Sequence, residues 1–438
     1  MTASAPAGSA RGARPLFCLA CLACLAGLSS CRSGCSSGEG GGDASSPIAA
    51  SDAAAPPAIA PPRCSAEGDA LPLPEAAWGA LPAFGDAVEG PAGYVAAVTR
   101  DASGRRAAGV ATIDRDLRAI DFLPLGTALP DDPPPRVARA GAAIVAAFVD
   151  RGAGDAGRVA PSLAVAVIDA GRARVVWRAA QPDNPELAFD LAASGGAIGV
   201  AWLEETTAAS RVVAAAFDAA GAGVAGRGVD AGARAISDGA DVDSPRLVAR
   251  PGGFWAAWIA TSPEPGPEAG AEGAAEPRAW GWVEAAPLDA SARRAGDVRR
   301  LTSPRGHVAT FDAAPDGDGL AVVARDALEV REGEGAKLLR AGMIRDATAA
   351  PASVFAAQVG RGVPDLEELA GGGWVAYSDA ADRARWAPLA AGGAPSAEPE
   401  LEDGRVLAAG ERDGRNRLLV VRKRADAPGE LRLISCKR

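Results

Sequence analysis

Seven times along this 438-residue chain a glycine-containing turn leads into a short apolar run that ends in polar residues. The runs are GYVAAVTRD from Gly93, AAIVAAFVD from Ala142, AIGVAWLEE from Ala197, FWAAWIA from Phe254, GLAVVARD from Gly319, GWVAYSD from Gly373 and RVLAAGERD from Arg405. A second echo follows the first four, as VATIDRD, VAVIDAG, AAAFDAAG and AAPLDAS, which carry Asp114, Asp169, Asp218 and Asp289. One long insertion apart, the spacing is roughly 50 residues, the scale of radially repeated sheets. Abundant alanine would favour helix. Here glycine and proline recur too often for long helices, and the apolar runs are short and bounded by turn residues, as strands are.

Each unit parses as four short strands. In the fourth, SPRLVAR (244–250) passes through Pro251-Gly252-Gly253 into FWAAWIA, a loop leads to AWGWVEAAPL (279–288), and a polar turn leads to DVRRLTS (297–303). Such an antiparallel meander cannot bury both of its faces alone, so copies must stack around an axis with large side chains between them. The expectation is an all-β chain, a β-propeller of four-stranded antiparallel blades, about seven in number, with six or eight also compatible. Trp255 and Trp258, and Trp202 and Trp374 in equivalent runs, are expected between neighbouring blades rather than on an exposed platform. The pattern resembles bacterial secreted β-propellers, including TolB-like proteins, whose blades carry a P-D-G turn before an apolar strand; that turn is here Pro315-Asp316-Gly317. The Trp-Asp ending of WD repeats, the aspartate box of sialidases and the glycine placement of kelch repeats are not found.

The N-terminus reads as an export signal. Arg11 and Arg14 precede LFCLACLACLAGLSS (16–30), an apolar run too short for a comfortable membrane span. Cys18, Cys21 and Cys24 also have a cluster-binding spacing, but Leu and Ala between them fit the export reading better. The run ends Leu28-Ser29-Ser30-Cys31, which resembles the lipobox of bacterial lipoproteins. That resemblance implies loss of residues 1–30, lipidation of Cys31 and, with Arg32 rather than Asp next, the outer membrane as destination. Residues 31–64 form a Gly/Ser/Ala/Pro-rich tether that cannot bury enough apolar surface to order itself, and 65–438 form the propeller. In an exported protein Cys64 and Cys436, which bracket the repeats, are expected to form a disulfide that closes the ring, with Cys35 left in the tether. The net charge of −10 argues against nucleic acid. The expected partners are a membrane, through the lipid, and an envelope protein or glycan.

Chemistry is sparsely signalled. His307 is the single histidine, which excludes a multi-histidine metal site and leaves a Ser-His-Asp triad only one possible base, with no G-x-S-x-G elbow to accompany it. Asp316-Gly317-Asp318-Gly319 hints at Ca2+ but lacks the rest of a calcium loop, and reads as a tight turn; no cofactor is expected. Asp101, Asp150, Glu204, Asp326, Asp379 and Asp413 end the second strands of six units, and the fourth unit carries Glu264, Glu268, Glu272 and Glu276 in an insertion there. Those positions would make an acidic ligand rim; good turn chemistry is the plainer explanation. The basic tail, Arg412 to Arg438, reads as a solvated outer strand. Two functions remain open: a lipid-anchored, non-catalytic binding or scaffold propeller, and a propeller hydrolase or lyase using channel carboxylates. Carboxylates and arginines converging on the axis would favour the enzyme, and an Ala, Val and Ser lining the binder.

Overall fold

A computed structural model describes residues 63–437 except 80–81, 103–104, 152–160, 181–187, 206–208, 221–232, 239–240, 264–278, 305, 317, 327–336, 345–351, 360–367, 371–373, 379–383, 389–404, 413–414 and 423–428. From Asp326 to Val406 only the backbone is described. All these residues fall within one unit, Pro56–Arg438.

Strand β1 (Arg63–Pro72) and a one-turn helix, α1 (Glu75–Trp78), come first. The sheets that follow are β2 (Ala83–Glu89), β3 (Gly93–Ala102), β4 (Arg105–Asp114) and β5 (Ile120–Thr127), then β6 (Arg136–Ala140), β7 (Ala143–Asp150), β8 (Ser162–Asp169) and β9 (Arg172–Ala180). The third contains β10 (Phe189–Ser194), β11 (Ala197–Glu205), β12 (Ser210–Phe217) and β13 (Arg234–Ala235). The fourth contains β14 (Asp241–Arg250), β15 (Gly253–Pro263), β16 (Ala279–Asp289) and β17 (Arg299–Arg300). The fifth contains β18 (Val308–Asp316), β19 (Gly319–Asp326), β20 (Lys337–Ile344) and β21 (Ala352–Val359). Three strands form the sixth, β22 (Glu368–Ala370), β23 (Trp374–Ser378) and β24 (Ala384–Pro388). The last combines β25 (Arg405–Arg412), β26 (Arg415–Arg422) and β27 (Glu430–Lys437) with β1, in the order β25-β26-β27-β1.

The first strands of successive sheets pack side by side from β2 through β6, β10, β14, β18 and β22 to β25, and β25 returns to β2. This is a β-propeller. Its ring is closed by the N-terminal strand, which supplies the outermost strand of the last sheet and lies antiparallel to β27. Cys64 stands directly opposite Cys436 in that register.

The core is a set of layers between neighbouring sheets. One joins Val145, Leu163 and Trp177 to Ile198, Trp202 and Phe217; Trp177 stacks on Phe217 at 5.5 Å. Trp258 packs with Leu203, Val212 and Leu247 toward the third sheet, and Trp255 with Phe311, Leu320 and Val322 toward the fifth. Side chains alternate along a strand, so residues three apart face opposite ways. The two tryptophans of β15 thus serve two different layers, and both are fully buried.

Turn chemistry explains the repeated motifs. Gly195 and Gly196 both have positive φ (56° and 88°) and connect the paired Ser194 and Ala197, the demand of a two-residue hairpin turn. Three of the four aspartates of the second echo cap turns: Asp114 Oδ1 accepts from the amides of Asp116 and Arg118, Asp218 Oδ1 from Ala220, and Asp289 Oδ1 from Ser291 and Arg293.

The last unit departs from the sequence reading. RVLAAGERD corresponds to β25, the first strand of its sheet and not the second. The basic tail forms β26 and β27 with Leu418, Leu419, Leu431 and Leu433 buried, inside β1 rather than on the outer edge. The first strand begins at Arg63, two residues before the expected boundary.

Candidate binding site at the ring axis

The innermost strand of each sheet has one edge without a strand neighbour, so its polar backbone groups need other partners. Five of these strands bring charged side chains together: Asp86 on β2, Arg136 on β6, Asp190 on β10, Arg246 on β14 and Asp312 on β18. The sign alternates from strand to strand. Arg136 Nη1 donates to Asp86 Oδ2 at 2.7 Å, and its Nε lies 3.8 Å from Asp190 Oδ1. Asp190 Oδ2 accepts the β14 backbone N–H of Leu247 at 2.7 Å, across the sheet boundary. Arg246 Nε reaches Asp312 Oδ1 at 3.4 Å while its guanidinium lies 5.9 Å from the Phe311 ring.

Local backbone irregularities aim two of these groups. The β2–β3 register shifts between Phe84 and Ala87, where Asp86 sits, and the β14–β15 register shifts just before Arg246. A Cβ on Gly85 would lie 2.6 Å from the Pro135 carbonyl, so only glycine lets β2 approach the segment that presents Arg136.

Burial shapes the electrostatics. Burial is the largest influence on Asp190 and raises its pKa; the charges of Arg136 and Arg246 and the Leu247 amide pull the other way without cancelling it. For Arg136 burial alone would lower the pKa, but Asp86 and Asp190 outweigh it and hold the guanidinium above its ordinary value. The exposure of the side chains runs from 10% at Asp190 to 38% at Asp86.

This constellation was not singled out in the sequence, although a faint signal exists. Phe189-Asp190 and Phe311-Asp312 repeat in alternate units with Phe84-Gly85-Asp86 as a variant, and Pro135-Arg136 and Pro245-Arg246 occupy the units between. Among the described side chains the axis thus carries the carboxylates and arginines that the sequence criterion assigns to the enzyme reading, and not the Ala, Val and Ser lining it assigns to the binder.

The expected acidic rim takes a different form. Asp101, Asp150 and Glu204 do occupy the same end of the second strands β3, β7 and β11. Each has an arginine partner: Asp101 pairs with Arg106 at 3.3 Å, Asp150 with Arg178 and Glu204 with Arg211. Local charge is compensated there. Asp326 ends β19, with its backbone alone described. Asp379 and Asp413 lie outside the described residues, as do Glu264, Glu268, Glu272, Glu276 and Cys31. Because β25 is a first strand, Asp413 follows a different strand from the other five acids.

Asp316 pairs with Gly319 at the β18–β19 hairpin, and Gly317 of that stretch lies outside the described residues. No group of three metal-ligating side chains occurs among the described residues. His307 stacks on Trp280 with centroids 4.9 Å apart, at the boundary of the fourth and fifth sheets.

No protein-family model matches the sequence, and a search of curated proteins finds no match. Among solved structures the chain is similar to the polysaccharide lyase Uly1, at 10% identity over 80% of this chain and 90% of that one, with a TM-score of 0.48. It is also similar to the β-propeller domain of the Trilobed protease from Pyrococcus furiosus, at 10% identity over 80% and 93%, with a TM-score of 0.42. An alpha-L-arabinanase from Penicillium chrysogenum complexed with arabinobiose gives 9% identity over 70% and 94%, with a TM-score of 0.39. The likeness is one of fold.

Proposed function

We propose that this chain is an exported, lipid-anchored propeller that binds a cell-envelope ligand at its axis without transforming it. Cys31 carries the lipid, residues 31–62 act as the tether, and a disulfide between Cys64 and Cys436 secures the closing strand. The sequence around Cys31 supports the anchor; the direct pairing of Cys64 with Cys436, together with the disulfide-bonded state of Cys64, supports the closure.

One observation carries the non-catalytic part. A glycoside hydrolase needs two carboxylates free to exchange protons with substrate. Asp86 and Asp312 instead face arginines, and Asp190 lies buried between Arg136 and the Leu247 amide. A second reading, as a hydrolase or lyase, is favoured by two features: carboxylates and arginines do converge on the axis, and burial raises the Asp190 pKa, as a general acid requires.

The two readings separate in one experiment on the exported chain. Incubation with isolated envelope should give saturable retention with no product detectable by chromatography, and Cys31→Ala should move the chain out of the membrane fraction. Product release that disappears in Asp190→Asn would establish the enzyme instead. Retention of Cys31→Ala on the membrane would refute the lipid anchor.

A further inference from the structure

The alternation of sign along the inner strands restricts what the axis can hold. An apolar ligand would strip water from ionised groups and return nothing. Among the described side chains of the inner strands, a polyanion meets three carboxylates, Asp86, Asp190 and Asp312, against two guanidiniums, Arg136 and Arg246. A divalent cation needs several oxygens converging on one point. Here an arginine stands between each aspartate and the next.

A hydroxyl behaves differently, because it donates and accepts at once. Adjacent hydroxyls on a sugar ring can donate to a carboxylate and accept from the neighbouring guanidinium, and both groups are planar forks suited to such paired contacts. Arg136 and Asp86 are already hydrogen-bonded at 2.7 Å, so a ligand there must add to that contact, while the other two arginine–aspartate contacts are looser. The Arg136–Asp190 approach of 3.8 Å is an ion pair longer than a hydrogen bond, and the Arg246–Asp312 approach of 3.4 Å is at the limit of one. Asp86, at 38% exposure, and Asp312, at 19%, are the most accessible carboxylates of the set.

We propose that the axis takes a neutral, hydroxyl-rich glycan, whose hydroxyls donate to Asp86 and Asp312 and accept from Arg136 and Arg246. This rests on the axis being the binding face of the propeller. Uronate-rich and sulfated glycans are rejected by the excess of carboxylate.

The full exported chain can be titrated with three probes: neutral arabino- and gluco-oligosaccharides, oligogalacturonate, and sulfated oligosaccharide. Neutral probes should bind and the two anionic probes should bind at least about tenfold more weakly, in keeping with one charge-assisted hydrogen bond lost to repulsion. Asp86→Asn should weaken neutral-probe binding by about tenfold. Arg246→Lys, which keeps the charge but loses the fork, should do likewise. Thermal unfolding of both variants keeps a lost fold from passing as a lost site. Preference for an anionic probe, or no binding of any of the three, overturns the ligand class. If an envelope extract is retained by the parent chain but not by folded Asp86→Asn, the axis stands as the binding face and only the ligand class falls. Retention by both folded variants equal to the parent overturns the axis itself.

Discussion

Trp255 and Trp258 show how much a single side chain contributes to the propeller and how differently two of the same kind are held. Both are fully buried, and truncating either to Ala should cost about 3–5 kcal/mol. Replacement by Phe separates them. The Trp255 indole N–H donates to the Asp318 carbonyl at 3.1 Å, whereas that of Trp258 finds no acceptor among the described residues. Trp255→Phe therefore loses a hydrogen bond, and Trp258→Phe relieves a buried polar group, so denaturant titration should find Trp255→Phe the more costly by about 1 kcal/mol. Equal losses would show that ring volume alone decides. Asp190 gives a second residue-level expectation. Its folded-state pKa is raised, so its contribution to stability is full below the ordinary carboxylate range and is lost as pH rises through the folded value. Asp190→Asn removes that slope. As pH rises above the ordinary carboxylate range the parent chain should lose stability relative to the Asn variant, and a difference constant with pH would contradict the buried aspartate's shift. The tryptophans were legible in the sequence because large aromatics in alternating apolar runs have few alternatives to burial. Asp190 was not legible, since its meaning depends on Arg136 and Leu247, which only ring geometry brings near.

At the level of elements, hairpins were readable and strand rank was not. GFWAAWIA and AWGWVEAAPL fall within the adjacent strands β15 and β16, because glycine turns and apolar alternation are local signals. RVLAAGERD carries the same local signals, yet it is an innermost strand, because β1 adds to the outside of its sheet from the other end of the chain. Nothing within nine residues encodes that pairing. Besides its backbone ladder, the joint of β1 with its sheet is fastened by the packing of Leu71 against the layer of Leu431 and Leu433, by the pairing of Glu67 with Arg417 on β26, and by the proposed Cys64–Cys436 bond. Burial would raise the Glu67 pKa, but the contacts with Arg417 and Ser435 and the charges of Arg417 and Arg415 outweigh it and leave the net shift downward. A bond closing so long a loop is worth up to about 5 kcal/mol by the entropic estimate, less whatever strain it carries. Cys64→Ser should unfold at clearly lower denaturant than the parent, and reductant should bring the parent to the same midpoint without moving the variant. A parent insensitive to reductant would remove the bond from the account.

At the scale of the whole molecule, closure and the axial charges depend on each other. Asp86 and Arg136 meet because β2 and β6 are neighbours, and β2 also borders β25, the strand that begins the sheet completed by β1. The layer between the first and last sheets contains Phe84, Tyr94 and Ile113 on one side and Leu419, Leu431 and Leu433 on the other. Removing β1 would leave that layer's last sheet with an open outer edge on β27, whose N–H and C=O groups would then offer a template to another chain. Two truncations test this. A chain beginning at Arg63 retains every described strand and should unfold where the parent does. A chain beginning at Leu73 lacks β1 and Cys64, and should lose several kcal/mol and associate through β27, a concentration-dependent shift that size-exclusion chromatography reads directly. Cys64→Ser in the full chain is the control, because it removes the proposed bond and keeps the strand. If the chain beginning at Leu73 is monomeric and no less stable than Cys64→Ser, the strand ladder contributes nothing and closure is covalent alone; if it is markedly worse, the ring is held by its borrowed strand.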